Sequence, residues 1–489
     1  MIYPDILKAE ELAGQGNVIP VYKELFADLE TPVSVWFKLF SDSSRSFLLE
    51  SVSGEENVAR YSFIGGDPYM CFTAQKGRWE IKRDNGDIET GDSDPVGKLR
   101  SLYKGYKPVE FRDLPRFSGG AVGYIGYDGV RYYEKIPDSN KDMGLTHDIF
   151  FGFYRTIVVF DSREQKIFLI SNILTDEKRD IESQYRDAVS EIEKYEKQLM
   201  NISVSRGFDI SITSGITSNM SKQEYEAVVE KCKEYILAGD IFQVVPSQRF
   251  MADVKGSSFD LYRVLRTVNP SPYMFYFRDG ETSVVGASPE MLVRVENGNV
   301  ETCPIAGTRK RGANEAEDER LAQELLNDEK EKAEHVMLID LGRNDIGRVS
   351  STGTVQIENM MHVEKFSHVM HIVTNVKGRL KPGVDALDAF FACFPTGTLT
   401  GAPKVRAMEI IDEVENLRRG LYGGAIGYID FSGDMDTCIA IRTLIHDGRK
   451  VYIQSGAGIV ADSVPANEFT EVRNKAQALF SAIEKAGDL

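Results

Sequence analysis

The 489-residue sequence contains no run of eighteen apolar residues, so we expect no membrane-spanning helix. Its first residues, Met1 to Asp5, show no basic start followed by an apolar stretch, so we expect no secretory signal. Only five cysteines are present, far apart and none in a Cys-x-x-Cys pair. This spacing predicts reduced thiols in a cytoplasmic protein and argues against a zinc site.

Three motifs of common chemistries are also missing. There is no Gly-x-Gly-x-x-Gly, so a nicotinamide cofactor has no support, and no Walker A loop is present. A Gly-x-Cys-x-Gly nucleophile turn is absent too, so we do not expect this chain to hydrolyse glutamine itself. The net charge of −17 argues against nucleic-acid binding. An anionic substrate would therefore need local positive groups or a metal.

The order of predicted elements favours an α+β fold over a doubly wound sheet. Strand-like runs such as 157–160 precede a charged helical segment over 180–200, and 201–219 is rich in Ser, Thr, Gly and Asn. Ser221 and Glu224 then predict a capping box that opens a helix through Leu237, ended at Gly239. We predict an N-terminal domain over 1–200, a linker over 201–219 and a C-terminal domain over 220–489.

One heptapeptide occurs twice in almost the same form. Residues 119–125 and 423–429 are identical at six of seven positions. Two hypotheses fit: equivalent strands in related halves of the chain, or chance convergence of glycine-rich strands.

Two pairs of glutamates share a helical spacing. Glu331 and Glu334 are three residues apart, which places their side chains on one helix face. Glu468 and Glu471 repeat this spacing near the C-terminus, with Lys475 one turn further on. Four carboxylates on two helices could hold magnesium, which usually binds one or two directly and reaches others through water. A solvated, salt-bridged helix face is the alternative interpretation.

Two glycine-rich segments could approach a ligand closely. Residues 395–404 lead into a predicted helix, and a helix N-terminus favours an anion. Residues 454–459 offer a second close-approach turn after a strand-like run over 450–453. For either segment alone, an ordinary structural turn is the alternative.

Three isolated polar residues have unusual neighbours. His371 lies among apolar residues and is either a satisfied core side chain or a catalytic group. Arg442 interrupts the apolar run 438–444, which predicts an arginine within a buried strand. Its anionic partner would be a structural carboxylate or a bound ligand. Glu290, after Pro289, is either a turn carboxylate or an acid.

Together these segments resemble the chorismate-utilising enzymes over essentially the whole chain, most densely from Gly239 to Lys475. The resemblance implies an α+β fold in which antiparallel sheets pack face to face with helices outside. Besides the glutamate pairs and the glycine-rich loops, the resemblance is carried by the blocks GDIFQVV (239–245), ASPE (287–290), PIAGTR (304–309) and DLGRND (340–345).

The resemblance also implies roles for individual residues. The four glutamates match the carboxylates of a magnesium site, where the metal holds the ring carboxylate of chorismate. Tyr422 and Arg442 match groups that take the enolpyruvyl carboxylate. Glu290 matches the acid that protonates the departing ring hydroxyl, and His371 matches the proton-transfer residue of pyruvate elimination. Thr398 matches a further catalytic position. The remaining residues that match substrate-binding positions are Gly307, Thr308, Gly456, Ala457, Gly458 and Lys475.

Two positions distinguish the reactions of this family. Members that add water to chorismate carry a lysine base where this chain has Gln243, which cannot activate water by taking its proton. Typical members that form aminodeoxychorismate carry a lysine nucleophile in place of Ala306, although members with other residues there are possible. The resemblance therefore implies amination of chorismate by ammonia and loss of pyruvate to give anthranilate. Aminodeoxychorismate formation is the alternative.

A partner and an inhibitor are implied as well. Ammonia would come from a separate glutamine amidotransferase subunit, in a heterotetramer of two large and two small subunits. Segments 48–51 and 269–274 match the tryptophan-binding segments of feedback-inhibited members, although a strand end and a proline-fixed turn would look the same. A non-catalytic tryptophan sensor could lose the four glutamates, which this chain keeps. The residues expected to bind tryptophan are Glu50, Ser51, Pro272, Tyr273 and Met274.

Overall fold

The computed structural model describes residues 1–52, 60–175, 179–201, 207–365 and 369–486. The strands before residue 200 are β1 (Ile2–Tyr3), β2 (Val18–Phe26), β3 (Arg45–Glu50), β4 (Tyr61–Gly66), β5 (Met70–Gln75), β6 (Arg78–Arg83), β7 (Ile88–Gly91), β8 (Gly120–Ile125), β9 (Ile149–Tyr154), β10 (Thr156–Asp161) and β11 (Lys166–Leu174). Those after it are β12 (Ile210–Ile212), β13 (Thr217–Ser218), β14 (Gln243–Val244), β15 (Ser247–Gly256), β16 (Tyr273–Asp279), β17 (Thr282–Ser288), β18 (Met291–Glu296), β19 (Asn299–Thr302), β20 (Ile305–Lys310), β21 (Gln356–Lys365), β22 (Val369–Arg379), β23 (Gly401–Ala402), β24 (Ala425–Asp430), β25 (Met435–Ile439), β26 (Thr443–His446) and β27 (Lys450–Gly456).

The helices lie mainly in the second half of the chain. None in the described ranges is long and apolar enough to cross a membrane. A 3₁₀ helix spans Tyr127–Tyr132. The α-helices are α1 (Ile6–Leu12), α2 (Pro32–Phe40), α3 (Pro95–Lys104), α4 (Ile181–Asn201), α5 (Lys222–Leu237), α6 (Ser258–Val268), α7 (Glu315–Asn327), α8 (Glu329–Val349), α9 (Ala386–Cys393), α10 (Lys404–Val414) and α11 (Pro465–Ala486).

Two large antiparallel sheets dominate the architecture. The first sheet has the order β1-β2-β11-β10-β4-β3-β16-β17-β26-β27-β15-β12, with β13 also on β15. The second has the order β20-β22-β19-β18-β25-β24-β8-β9-β5-β6-β7, with β21 also on β22. Strands from the two halves of the chain are neighbours in both sheets, because β3 pairs with β16 and β8 pairs with β24.

The two sheets pack face to face over an aromatic core. Phe47 of the first sheet meets Tyr154 of the second with ring centroids 4.7 Å apart, and Phe63 meets Tyr428 at 5.5 Å. Burial of each such ring contributes about 1.5–3 kcal/mol. Helices α4, α6 and α11 pack against the first sheet, and α8 and α9 pack against the second. The predicted α+β fold is confirmed.

The repeated heptapeptide forms two adjacent strands at the centre of the second sheet. In the β8–β24 pair, Gly123 lies directly opposite Gly427. A Cβ on Gly123 would lie 1.9 Å from the Phe150 carbonyl oxygen, and one on Gly427 would lie 2.0 Å from that of Asp436. The two glycines therefore allow the same close approach on either side of the pair, which favours the hypothesis of equivalent strands.

The helix that opens the C-terminal half of the chain was predicted correctly from local sequence signals. Helix α5 begins after Ser221, and the capping box with Glu224 forms as predicted. Gly239 adopts the left-handed φ of 84° just after the helix, as expected of a helix stop. Within the predicted linker, β12 and β13 pair with β15, and residues 202–206 lie outside the described ranges. The domain boundaries stay a prediction.

Candidate active site

A cavity of about 600 Å³ lies among α6, α11, β27 and the loops that follow α9 and β25. We call it the front cavity. Segments more than 150 residues apart in sequence meet there. The residues predicted for substrate binding or catalysis that line it are Glu290, Thr308, Thr398, Tyr422, Arg442, Gly456, Gly458 and Lys475.

Arg442 lies where the chain passes from the second sheet to the first. Strand β25 ends at Ile439 in the second sheet, and β26 begins at Thr443 in the first. The prediction of one buried strand over 438–444 is therefore wrong, because the strand breaks where the chain changes sheets. At this break Arg442 has a φ of 48°, a left-handed conformation that costs a non-glycine residue about 1–3 kcal/mol.

The break turns the Arg442 side chain into the front cavity. Its Nη1 donates to Asn269 Oδ1 at 3.3 Å, and no carboxylate of the described chain lies within ion-pair distance. The surrounding protein lowers the pKa of Arg442 by burial, opposed by Glu290, while the side chain stays accessible from the cavity. A guanidinium held in this way suits a carboxylate of a ligand.

Glu290 faces the same space as an acid. Thr398 Oγ1 donates to Glu290 Oε1 at 2.9 Å. Burial raises the pKa of Glu290 to about 7, although the hydrogen bond from Thr398 and the charge of Arg442 oppose the rise. A large share of Glu290 is therefore protonated near neutral pH and can donate a proton.

His371 lies in β22 behind the cavity lining. Its Nδ1 is 2.8 Å from the Gly307 carbonyl oxygen and 3.2 Å from Thr308 Oγ1. Because a carbonyl only accepts, Nδ1 carries the proton, and Nε2 has the lone pair that can take one. Burial lowers the pKa of His371, so the ring is neutral at pH 7 and can act as a base.

Two glycines keep the site open in different ways. Gly307 has a φ of 68°, and a Cβ there would lie 3.2 Å from Glu331 Oε2. At Gly456 a Cβ would lie 2.6 Å from the Pro246 carbonyl oxygen and 3.0 Å from Tyr422 Oη. Any side chain at either position would displace a predicted site residue or its support. Ala457, between the predicted glycines, is buried behind the lining.

Sequence reasoning missed the floor of the cavity. Arg419 is buried, donates to Glu415, and also donates to the carbonyl oxygens of Leu399 (2.7 Å) and Val245 (2.6 Å). Leu399 and Val245 line the cavity. No periodic signal marks Arg419, because it follows the end of α10 rather than lying on a helix face.

Three further lining residues on α11 were not predicted, although their spacing in the sequence could have identified them. Leu479 and two alanines line the front cavity one to two turns after Lys475 on α11. Counting from Lys475, they fall at i+3, i+4 and i+7, which is one helix face. The added lining residues on this helix are Ala478, Leu479 and Ala482.

The four glutamates lie on α8 and α11. Within the described residues, no three His, Cys, Asp or Glu side chains converge as a ready metal group. Burial raises the pKa of Glu334, with further repulsion from Glu331 and Glu471. Burial also raises the pKa of Glu468, with Glu471 adding to it. The contribution of Glu471 on α11 to the raised pKa of Glu334 on α8 indicates that these two carboxylates lie near each other.

Cations compensate only part of this negative charge. Arg309 Nη1 is 3.3 Å from Glu331 Oε1, and Lys475 Nζ is 2.7 Å from Glu471 Oε1. In the part of the chain that is described, neither Glu334 nor Glu468 has an ion-pair partner. The donor set is therefore hard, anionic and under-neutralised, which fits a hard divalent cation.

The five residues predicted to bind tryptophan line one narrow cavity between the two sheets. Its volume is about 50 Å³, room for only a few water molecules. Glu50 is buried and accepts from Tyr262 Oη and from Arg266 Nε at 3.0 Å. Tyr273 Oη donates to Asp436 Oδ1 at 3.0 Å. Ser51 Oγ is buried with no hydrogen-bond partner among the described residues.

Comparison with known proteins adds sequence and structural relatives. The family model described as chorismate binding enzyme matches residues 46–481. Anthranilate synthase component 1 from Acetivibrio thermocellus is 50% identical over all of both chains. Anthranilate synthase component I from Streptococcus pneumoniae TIGR4 aligns with a TM-score of 0.78 and 39% identity, over 93% of this chain and 99% of that one. The menaquinone-specific isochorismate synthase from Escherichia coli shares the fold with a TM-score of 0.73 at 17% identity, over 98% of this chain and 100% of that one.

Proposed function

The chain belongs to the chorismate-binding enzymes and acts on chorismate, and from this we propose that it is the large subunit of an anthranilate synthase. In this proposal it converts chorismate and ammonia to anthranilate and pyruvate, as a lyase at the start of tryptophan synthesis. The observation that carries the proposal is the front cavity, where Glu290 and Arg442 face one space. Full-length relatives named anthranilate synthase component 1 support it.

The cavity residues divide the proposed reaction between them. Arg442 and Tyr422 bind the enolpyruvyl carboxylate, and Thr398 holds Glu290 in place. Glu290 gives its proton to the ring hydroxyl, which leaves as water while ammonia bonds to the ring. His371 then takes the ring proton as the bond between the ring carbon and the enolpyruvyl oxygen breaks, and the released enolpyruvate takes up a proton at its methylene carbon to become pyruvate.

Two positions support amination by free ammonia over the addition of water or the use of a lysine nucleophile, which other members of the family carry out. Gln243 lies at the cavity rim, where its Nε2 would be 2.7 Å from a Cβ on the lining residue Gly458. A neutral amide there cannot deprotonate water. Ala306 pairs with Ile372, next to His371, and its methyl group offers no nucleophile. Ammonia itself would therefore attack the ring.

Magnesium is the proposed cofactor, held by Glu331, Glu334, Glu468 and Glu471. Bound there, it would supply positive charge for the ring carboxylate of chorismate. The under-neutralised carboxylates of α8 and α11 support this assignment.

The proposed ammonia source is a glutamine amidotransferase subunit, in a heterotetramer of two large and two small subunits in the cytoplasm. The relatives' designation as component 1 supports a companion component. All five cysteines lack a disulfide partner, and four are buried, so none resembles an exposed amidotransferase nucleophile.

The function is tested by product identification. We expect the purified chain, given chorismate, ammonium and magnesium, to release fluorescent anthranilate and pyruvate. Glutamine should not replace ammonium, because the sequence has no Gly-x-Cys-x-Gly nucleophile turn. Persistent 4-amino-4-deoxychorismate would instead support aminodeoxychorismate synthase. Glutamine-dependent activity of the pure chain would refute the proposal that a separate subunit supplies the ammonia.

Tryptophan is the proposed feedback inhibitor, bound at the residues of the narrow cavity between the sheets, which must widen to admit it. The Ser51 hydroxyl, which has no hydrogen-bond partner among the described residues, and the buried Glu50 carboxylate suit an amino-acid ligand. We expect Ser51→Phe to fill the cavity and raise the half-inhibiting tryptophan concentration at least about tenfold, a loss of about 1.4 kcal/mol of binding. Titration of anthranilate formation with tryptophan measures this. Ser101→Phe, at an exposed position of α3, is the control, and undiminished inhibition of Ser51→Phe would contradict the site.

A further inference from the structure

A second, smaller cavity lies behind Glu290, and we call it the rear cavity. Its volume is about 40 Å³, which is room for about three water molecules. Glu290 and Thr398 line both the front and the rear cavity. These two side chains therefore form a wall between the substrate space and a space behind it.

A chain of hydroxyl groups runs along this wall. Thr398 donates to Glu290 at 2.9 Å, so the 3.1 Å bond between Thr396 Oγ1 and Thr398 Oγ1 is donated by Thr396. Thr396 also lines the rear cavity. Because a hydroxyl both donates and accepts, this chain can pass a proton from the rear cavity to the Glu290 carboxylate.

A buried ion pair lies on another wall of the rear cavity. Asp345 of α8 lines the cavity and is only 5% exposed. Lys404 Nζ is 3.0 Å from Asp345 Oδ2, and the Lys404 side chain is 17% exposed. The pair therefore connects the rear cavity with the protein surface.

Charged and titratable groups surround the carboxyl groups of Asp345 and Glu290. Burial raises the pKa of Asp345, while Lys404 and Arg348 oppose the rise. The Cys303 and Cys393 thiols also line the rear cavity, and burial raises the pKa of each, so both stay protonated. On the front side, Arg442 is the charged group that faces Glu290.

We propose that the rear cavity returns a proton to Glu290 while the ring still occupies the front cavity, carried by water from the Asp345–Lys404 pair. This inference rests on the proposed function, in which Glu290 protonates the leaving hydroxyl. The carbon–oxygen bond breaks as the carbon–nitrogen bond forms, water leaves, and Glu290 is left as a carboxylate. The new amine releases one proton to solvent, and Glu290 regains one through the rear cavity, so the balance closes.

The rear path has a geometric reason. During turnover the ring of chorismate occupies the front of Glu290, so solvent cannot reach the carboxylate from that side. Asp345 and Lys404 touch neither the substrate nor the reacting atoms, and they are positioning residues that act through Glu290. Loss of Asp345 should then slow the return of the proton without weakening chorismate binding.

The test is Asp345→Asn in the full chain, with anthranilate formation measured from pH 6 to 9 at fixed ammonium. We expect kcat at pH 8 to fall about tenfold with KM for chorismate little changed, because a proton shuttle contributes to turnover rather than to binding. The solvent deuterium isotope effect on kcat should rise in the variant and stay small in the unsubstituted chain, because the return of the proton limits turnover only when Asp345 is lost. The control is Asp340→Asn, on the same helix with its side chain 61% exposed.

A kcat and pH profile equal to those of the unsubstituted chain, or a loss of kcat without a larger solvent isotope effect, would overturn the inference. Should Asp345→Asn fail to fold, Thr396→Val removes the cavity end of the hydroxyl chain and must show the same rise in the solvent isotope effect. An unsubstituted chain that forms no anthranilate overturns the proposed function instead. An active chain with an unaffected Asp345→Asn variant overturns only the rear path.

Discussion

Glu290→Gln is expected to lower kcat for anthranilate formation about 10²- to 10⁴-fold, the usual contribution of a general acid. The substitution keeps the shape of the side chain and its hydrogen bond from Thr398, so chorismate binding should persist. Steady-state kinetics with ammonium as the nitrogen source measures the effect. The control is Glu281→Gln in the exposed turn between β16 and β17.

The pH dependence of kcat tests the same role of Glu290 as a proton donor. Burial raises the pKa of Glu290 to about 7, and only its protonated form can donate to the leaving hydroxyl. With the ammonia concentration held constant, kcat should therefore be high below pH 7 and fall as pH rises through 7. In Glu290→Gln this limb should disappear. An unchanged limb in the variant would show that another group supplies the proton.

Removal of divalent metal is expected to lower anthranilate formation about 100- to 1000-fold. A bound cation stabilises negative charge by several kcal/mol, and each 1.36 kcal/mol corresponds to a tenfold change in rate. Treatment with EDTA followed by readdition of magnesium measures the loss and its recovery. Full activity in the presence of EDTA would contradict the assignment of the four glutamates.

A carboxylate variant separates the metal site from a general need for salt. We expect Glu468→Gln to raise the magnesium concentration for half-maximal rate about 10- to 100-fold, a loss of about 1.4–2.8 kcal/mol of binding. Glu484→Gln changes the same charge at an exposed position of α11 and should leave the magnesium dependence unaltered. An equal shift in both variants would point to bulk electrostatics instead.

Local sequence signals predicted individual helices and strands, because each of these signals depends on residues that are close together in the chain. The capping box of Ser221 and Glu224 needs only one helical turn, and the pattern over 180–200 needs only one helix face. The resemblance to chorismate-utilising enzymes added the face-to-face sheets. It also named residues such as Glu290 and Thr398, which the structure brings within hydrogen-bond distance.

The tertiary structure decided everything that depends on contacts between distant segments. Arg442 was expected inside one strand, but the chain changes sheets there, and local hydrophobicity does not encode a change of sheet. Burial of Arg419 beneath the front cavity likewise depends on carbonyl oxygens from two remote loops.

The sequence by itself thus determined the class of fold and the repeated strand, and its resemblance to chorismate-utilising enzymes predicted which residues form the site. Only the tertiary structure decided that Glu290 has a cavity on each side and that burial raises its pKa to about 7. The physical reason is that pKa values, cavities and strand breaks arise from desolvation and packing by residues more than a hundred positions apart, whereas capping and periodicity act within a few residues.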